Sequence, residues 1–282
     1  MDETSKKWLT GCGIGCFIVL AVGVLVVFGG YLGVKKIMRQ AEQTQRVVDE
    51  VTDRFGRASE YTPDPTGAVD ADRIAAFLEV RRLSRPERER LEATLGELGP
   101  TPGEEASPNT MDFARSVRAG VGVVPQMMGY INRRNAAFLE AGMGLGEYLY
   151  LYTLIFESWL ENDPGDGPPF MVVGGEVDTA DASDPAVRER RGAEIRRRLN
   201  RTTLPMLRNQ YEALISSAAD DGGPWGESLR TEILLMAADP HRLPWQDGLP
   251  EPTADSLQPF WEELDASYSP LCHPVELSVI QR

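Results

Sequence analysis

The feature that most constrains this chain is an uncharged run near its start, Gly11 to Val34, 24 residues long. As a helix rising about 1.5 Å per residue it would span about 36 Å, enough to cross a hydrocarbon core of roughly 30 Å with some tilt. Its centre, Phe17 to Phe28, holds ten Phe, Ile, Leu or Val residues. On the insertion scale these favour the bilayer by roughly 4–5 kcal/mol. Lys6 and Lys7 flank one end, with Trp8 at the expected interface, and Lys35, Lys36 and Arg39 flank the other. The run therefore reads as a single transmembrane helix over 11–34, preceded by a short polar tail over 1–10.

Rival readings of this segment fit less well. A cleaved signal peptide would need a small-residue cleavage site before the lysines, and none is present. A lipobox cysteine should follow its apolar stretch, whereas Cys12 precedes it. Gly11-Cys12-Gly13-Ile14-Gly15 resembles a dinucleotide loop only superficially, because no strand precedes it. The pairs Gly11/Gly15 and Gly29/Gly33 have small-xxx-small spacing and are the candidates for close transmembrane helix packing. The expected location is the cell membrane, single-pass. Two lysines before the span and four Lys or Arg between 35 and 46 favour a cytoplasmic side for the large domain, a weak rule for domains of this size.

The 282 residues carry 29 Lys+Arg against 43 Asp+Glu, a formal charge of −14. Asp2 and Glu3 cancel Lys6 and Lys7, so the part beyond the span holds the whole excess. The whole chain is 42% apolar, and the part beyond the span is long enough to bury a sizeable core. With three cysteines and no second apolar span of comparable purity, a disulfide scaffold and a polytopic membrane protein are excluded.

Residues 35–56 read as a helical juxtamembrane stalk. Ile37, Ala41, Thr44, Val48, Val51 and Phe55 have a 4,3,4,3,4 spacing. That rhythm suits either a short coiled coil or an amphipathic helix laid on its own domain. Residues 57–282 then read as one helical domain. Asp70 or Asp72 can cap a helix burying Ile74, Phe77 and Leu78. Ser84-Arg85-Pro86-Glu87 has the form of a capping box opening a second helix with Leu91 and Leu95 inside. Gly120, Gly122 and Pro125 should bend or break the long helix that starts near Asn109. Leu145 to Glu161 is the most apolar helix of the domain, and its two carboxylates, Glu147 and Glu157, argue for a protein core rather than lipid. An acidic, Pro- and Gly-rich loop, about 163–184, separates it from an Arg-rich helix reaching about Ala218 and kinked near Pro205. Next come a helix burying Trp225, Leu229, Ile233 and Met236 and a final helix over about Asp255 to Tyr268. The expected fold is all-α: one N-terminal transmembrane helix, a helical stalk and a soluble irregular bundle of six to eight helices.

Chemistry is sparse. The four lysines all border the span, so no lysine beyond Lys36 can form a Schiff base or hold a phosphate. No P-loop, HExxH or GxSxG pattern occurs. His241 and His273 are the only imidazoles. With Glu147, a carboxylate in an apolar helix whose pKa burial would raise, they are the weak catalytic candidates. The aspartates of the 163–184 loop lack calcium-loop spacing, so no metal and no cofactor is expected. Arg190, Arg197, Arg201 and Arg208, spaced 7, 4 and 7, share one helix face and are the candidates for binding a partner or anionic lipid. Nucleic acid is not an expected partner of so acidic a body. These features point to a membrane-anchored, non-catalytic interaction or scaffold module, self-associating through the stalk or binding another protein. The alternatives are a tethered carboxylate-based hydrolase around Glu147 and a lipid- or small-molecule-binding bundle lined by the Tyr148–Trp159 aromatic stripe.

Overall fold

Hydrophobic periodicity converts into a helical bundle in which two long helices, α2 and α3, pack together and a wholly buried helix runs through the core. The computed structural model describes residues 45–97, 111–168, 171–173, 176–178, 185–217 and 222–277. The transmembrane assignment, including Gly11, Gly15, Gly29 and Gly33, lies outside these residues. No helix among the described residues is long and apolar enough to cross a membrane.

One compact unit begins at Arg46. A helix over 45–55 (α1) belongs to it: Val51 is buried in the main core, and Val47 and Phe55 pack against that core. Of the two readings of the stalk rhythm, the one laid on its own domain describes α1. A short 3-10 turn, Ala58–Glu60, comes next.

α2 runs unbroken from Ala71 to Glu97, and the expected helix start at Ser84 is corrected. Ser84 does not cap. It is buried, and its hydroxyl donates back to the carbonyls of Val80 (2.8 Å) and Arg81 (3.3 Å). Pro86 is tolerated because it lies on the exposed side. Proline has no N–H for the carbonyl of Arg82 four residues back, and Arg82 is exposed. Arg133 Nε of α3 donates across to the neighbouring Leu83 carbonyl at 3.0 Å. α3, Met111–Ala141, likewise continues through Pro125, where a bend or break was expected.

Gly142, at φ +65°, ends α3, and Gly144 starts α4, Leu145–Tyr152. The helix then widens into a π-helix, Thr153–Trp159, a departure from the single α-helix expected over 145–161. Every residue from Gly146 to Ser158 is buried, as a central core helix requires. Gly146 is needed for close approach. A Cβ there would lie 2.5 Å from the Ala58 carbonyl oxygen and 2.7 Å from Tyr61 Cβ.

The expected acidic loop contains a small antiparallel hairpin, β1 Met171–Val173 with β2 Glu176–Asp178, pairing Val172 with Val177. α5 spans Pro185–Ser217 and buries Ile195, Leu199, Met206 and Leu207. α6, Gly223–Ala238, packs on it through Leu229 and Met236. Asn200 ties the two together by donating to the carbonyls of Met236, Asp239 and Arg242, which satisfies the C-terminal end of α6. The final helix expected over 255–268 is instead segmented into α7 (Glu251–Leu257), a 3-10 turn (Gln258–Phe260) and α8 (Trp261–Ala266). Pro259, which has no N–H to continue an α-helix, sits at that break. A one-turn helix, α9 (His273–Glu276), closes the described chain.

Replacing Gly146 by Ala pushes a methyl group into the Ala58–Tyr61 backbone. It is expected to lower stability by about 1–3 kcal/mol, read as a reduced urea midpoint at unchanged slope.

Candidate functional site

The C-terminal helix delivers a carboxylate into the middle of the bundle. Glu276 is fully buried and is met by four side chains from three helices: Arg81 of α2, Tyr130 and Arg134 of α3, and Tyr148 of α4. Arg81 Nη1 and the Tyr130 hydroxyl both donate to Oε1. Arg134 Nη1 and the Tyr148 hydroxyl reach Oε2, each at 3.1 Å. Arg134 Nη1 also donates to the Glu276 backbone carbonyl at 2.9 Å. Arg81 Nη2 donates to the Ser267 carbonyl, and Arg88 Nη1 adds a second bond there at 3.0 Å.

Burial alone would raise the Glu276 carboxyl, but the two guanidiniums and the hydrogen bonds overcome it and hold the group at about 2. Arg81 Nε and Arg134 Nε and Nη2 make no hydrogen bond. Their guanidiniums lie instead over aromatic rings: Arg81 at 5.4 Å from Phe156, Arg134 at 5.6 Å from Phe138. The negative ring faces supply part of the missing compensation. Replacing Glu276 by Ala leaves two buried cations without their anion and is expected to cost about 3–5 kcal/mol in a denaturant titration.

A second buried cluster lies beside the first. The π-helix turns Glu157 inward, where it lies 3.3 Å from His273 Nε2, and both side chains are shut off from solvent. Neither carboxylate oxygen of Glu157, nor His273 Nε2, makes a hydrogen bond of ordinary geometry. His273 Nδ1 meets the Tyr152 hydroxyl at 2.9 Å, and the two rings stack. Burial pushes the Glu157 carboxyl well above the usual range, and Asp166 and Asp163 add to the rise. Burial lowers His273 to about 4, so its imidazole is neutral at pH 7.

A cavity of about 630 Å³ adjoins this pair, lined by residues of both signs that include Glu161, Asp163, Glu189, Arg188 and Arg196. Arg188 is neutralised within it by Asp163 and Asp166, both at 2.7 Å.

The other candidate residues are scattered over the fold. Glu147 does not meet either histidine. Arg73 grips it with Nε and Nη2, the first at 2.6 Å, and Nη2 also donates to the Gly142 carbonyl at 3.1 Å. His241 is exposed, with Nδ1 at 3.0 Å from the Ala193 carbonyl, while His273 is buried, so the two imidazoles serve different environments. Cys272 and His273 form no dyad: the thiol is buried, points to the Arg88 carbonyl at 3.9 Å, and is pushed up to about 12 by burial. The stripe Tyr148, Tyr152 and Phe156 is fully buried, with the Tyr152 and Phe156 centroids 4.7 Å apart, so it is packed core.

Arg190, Arg197, Arg201 and Arg208 all emerge on the exposed face of α5. Arg197 pairs with Glu194 at 2.6 Å. Among the described residues Arg201 and Arg208 form no ion pair. No group of three or more His, Cys, Asp or Glu residues is arranged to hold a metal among the described residues.

The sequence did not single out Arg81, Tyr130, Arg134 or Glu276. No local pattern marks them, because each finds its partners across the fold. Comparison of the chain with protein-family models, curated proteins and solved structures finds no match. The geometry and the sequence are therefore the grounds for any functional reading.

The sign of the Glu157 effect is fixed by its raised pKa. Above about 4.5 the unfolded chain releases this proton while the folded chain keeps it, so the Glu157 contribution to stability falls as pH rises from there, whereas His273, held neutral in the fold, contributes the opposite slope between about 4 and 6.5. Glu157→Gln should match wild type in pH dependence below pH 4.5 and gain on it progressively toward pH 8, as read from thermal melts across that range.

Proposed function

We propose that this chain is a single-pass membrane protein, anchored through residues 11–34, whose helical domain is a non-catalytic interaction module for an acidic protein partner. The observation that carries the interaction reading is the outer face of α5. A 33-residue helix buries one side and presents Arg190, Arg197, Arg201 and Arg208 on the other, with Arg201 and Arg208 uncommitted within the described domain. A protein surface can place carboxylates opposite these four guanidiniums at short range, where pairing acts within the screening length despite the −14 of the chain. Leu234 and Leu235 of α6, the helix packed against α5, are exposed at 60% and 43% and would add apolar contact. The flanking Lys and Arg count favours the cytoplasmic side for this domain.

The alternatives draw less support. A hydrolase around Glu147 would need that carboxylate free, and Arg73 holds it at two points. A lipid-carrying bundle would need space along the 148–159 stripe, where the rings pack on one another.

Two measurements test the proposal. Alkaline carbonate extraction should leave the full chain in the membrane pellet, and its release into the aqueous phase would sink the anchor. Arg201→Glu with Arg208→Glu should reduce capture of co-purifying protein from solubilised membranes at least tenfold, with the melting temperature unchanged. Equal capture, or loss only of binding to anionic vesicles, would refute the protein-partner reading.

A further inference from the structure

α2 and α3 enclose a slot, and the C-terminal segment Leu271–Leu277 fills it. Cys272 and Val275 join Leu91, Leu95, Val123 and Tyr130 in a small apolar cluster separate from the main core, with Leu271 packed against it. The next residue, Glu276, enters the end of the slot where Arg81, Arg134, Tyr130 and Tyr148 converge. Leu277 of this segment joins the main core. The arrangement is that of a peptide receptor, with an apolar slot leading to a cationic end that recognises an apolar-x-x-apolar-acid sequence. The cationic end exceeds what its occupant needs: two guanidiniums face one carboxylate, and three of their nitrogens remain without a hydrogen bond.

We propose that this slot is a docking site for the C-terminal segment of a second copy of the chain, filled in cis by the molecule's own tail and exchanged reciprocally between neighbours. The occupant is identified by the tail itself, whose Cys272, Val275 and Glu276 fit the slot. Exchange conserves every one of these bonds, so the two arrangements differ by the cost of opening and by local concentration. The segment is poised for this by its place in the chain. It lies beyond α8, the Ser267 carbonyl is pinned by Arg81 and Arg88 and Ser269 is buried, which leaves the exposed Pro270 and the half-buried Leu271 as the hinge. This inference deepens the interaction-module reading by naming a self-association surface, and it uses none of the α5 arginines.

The test uses the full chain in detergent and a synthetic peptide of residues 268–282 carrying photo-leucine in place of Leu271. Irradiation should label α2 and α3 within 88–95 and 123–134. Unmodified peptide should compete, and a peptide with Glu276→Gln should label about tenfold less, because it loses a charge-assisted bond to each arginine. Glu276→Gln in the full chain weakens the resident tail and should raise labelling by the wild-type peptide. Absent labelling, labelling outside those segments, or equal labelling by the Gln peptide overturns the proposal. If the full-chain variant does not melt cooperatively, amide exchange of the wild type decides. Faster exchange over 272–277 than in α2 and α3 supports a detachable tail, and exchange only at the global unfolding rate overturns it. Arg201→Glu with Arg208→Glu should leave the labelling intact, so loss of partner capture and loss of tail docking are separately visible.

Discussion

The bundle depends on one carboxylate. Arg81 and Arg134 come from the two longest helices of the first half of the chain, and both guanidiniums are fully buried. A buried guanidinium cannot shed its proton, so it requires an anion, aromatic faces or backbone carbonyls around it. Glu276 provides the anion to both at once, and Tyr130 and Tyr148 hold its oxygens in place. Arg81 extends its other arm to the Ser267 carbonyl, which fixes the turn leading to the last helix. The C-terminal segment is thereby bound into the middle of the fold at a sequence separation of 195 residues from Arg81. Such a network contributes little net stability compared with an apolar core of the same volume. Its effect is to select one arrangement of α2, α3, α4 and α9, since any other leaves charges buried alone.

Much of the framework was legible because it rests on local rules. The apolar run Leu145 to Ser158 forms the central core helix, and Leu229 and Met236 pack α6. The features that could not be read rest on distant partners. Ser84-x-x-Glu87 has the same letters whether it opens a helix or lies inside one. The helix runs on here because Pro86 and Arg82, whose carbonyl loses its helix donor, both lie on the exposed side. The segmentation of 251–266 was missed because the apolar spacing of Leu257, Phe260 and Leu264 is helical throughout, and only Pro259 signals the break.

The two carboxylates of the core helix show the same limit at the candidate sites. Glu147 and Glu157 sit in one apolar stretch and look equivalent in sequence. Glu147 lies near the helix start, where Arg73 of α2 reaches it from a partly exposed position. Glu157 lies past the point where the helix widens. A π-turn takes more than four residues, so the inward side shifts along the sequence and carries Glu157 in beside His273. The aromatic stripe was legible as core, but which of the two acids would be left without a salt-bridging arginine depended on that widening.

The absence of lysine beyond Lys36 has a structural counterpart. From the sequence alone, an arginine-only set of bases is a compositional bias. In the fold, Arg81, Arg88, Arg134 and Arg191 are all buried; Arg81, Arg134 and Arg191 each donate to more than one acceptor, and Arg88 donates to the Ser267 carbonyl and pairs with Glu92 at 3.7 Å. Lysine could not take these places. A buried ammonium is a compact, strongly hydrated charge that loses its proton when desolvated, and it cannot bridge Glu276 and Ser267 with two arms of one planar group as Arg81 does. Arg191 makes the same point where the compensation is carbonyl alone. Burial lowers its pKa, yet it donates to the carbonyls of Gly165 and Pro168 and fixes the loop beside the cavity to α5. The buried arginines thus determine how the helices assemble, while on the exposed face of α5 Arg188 and Arg197 pair with carboxylates of the domain and Arg201 and Arg208 form no ion pair among the described residues.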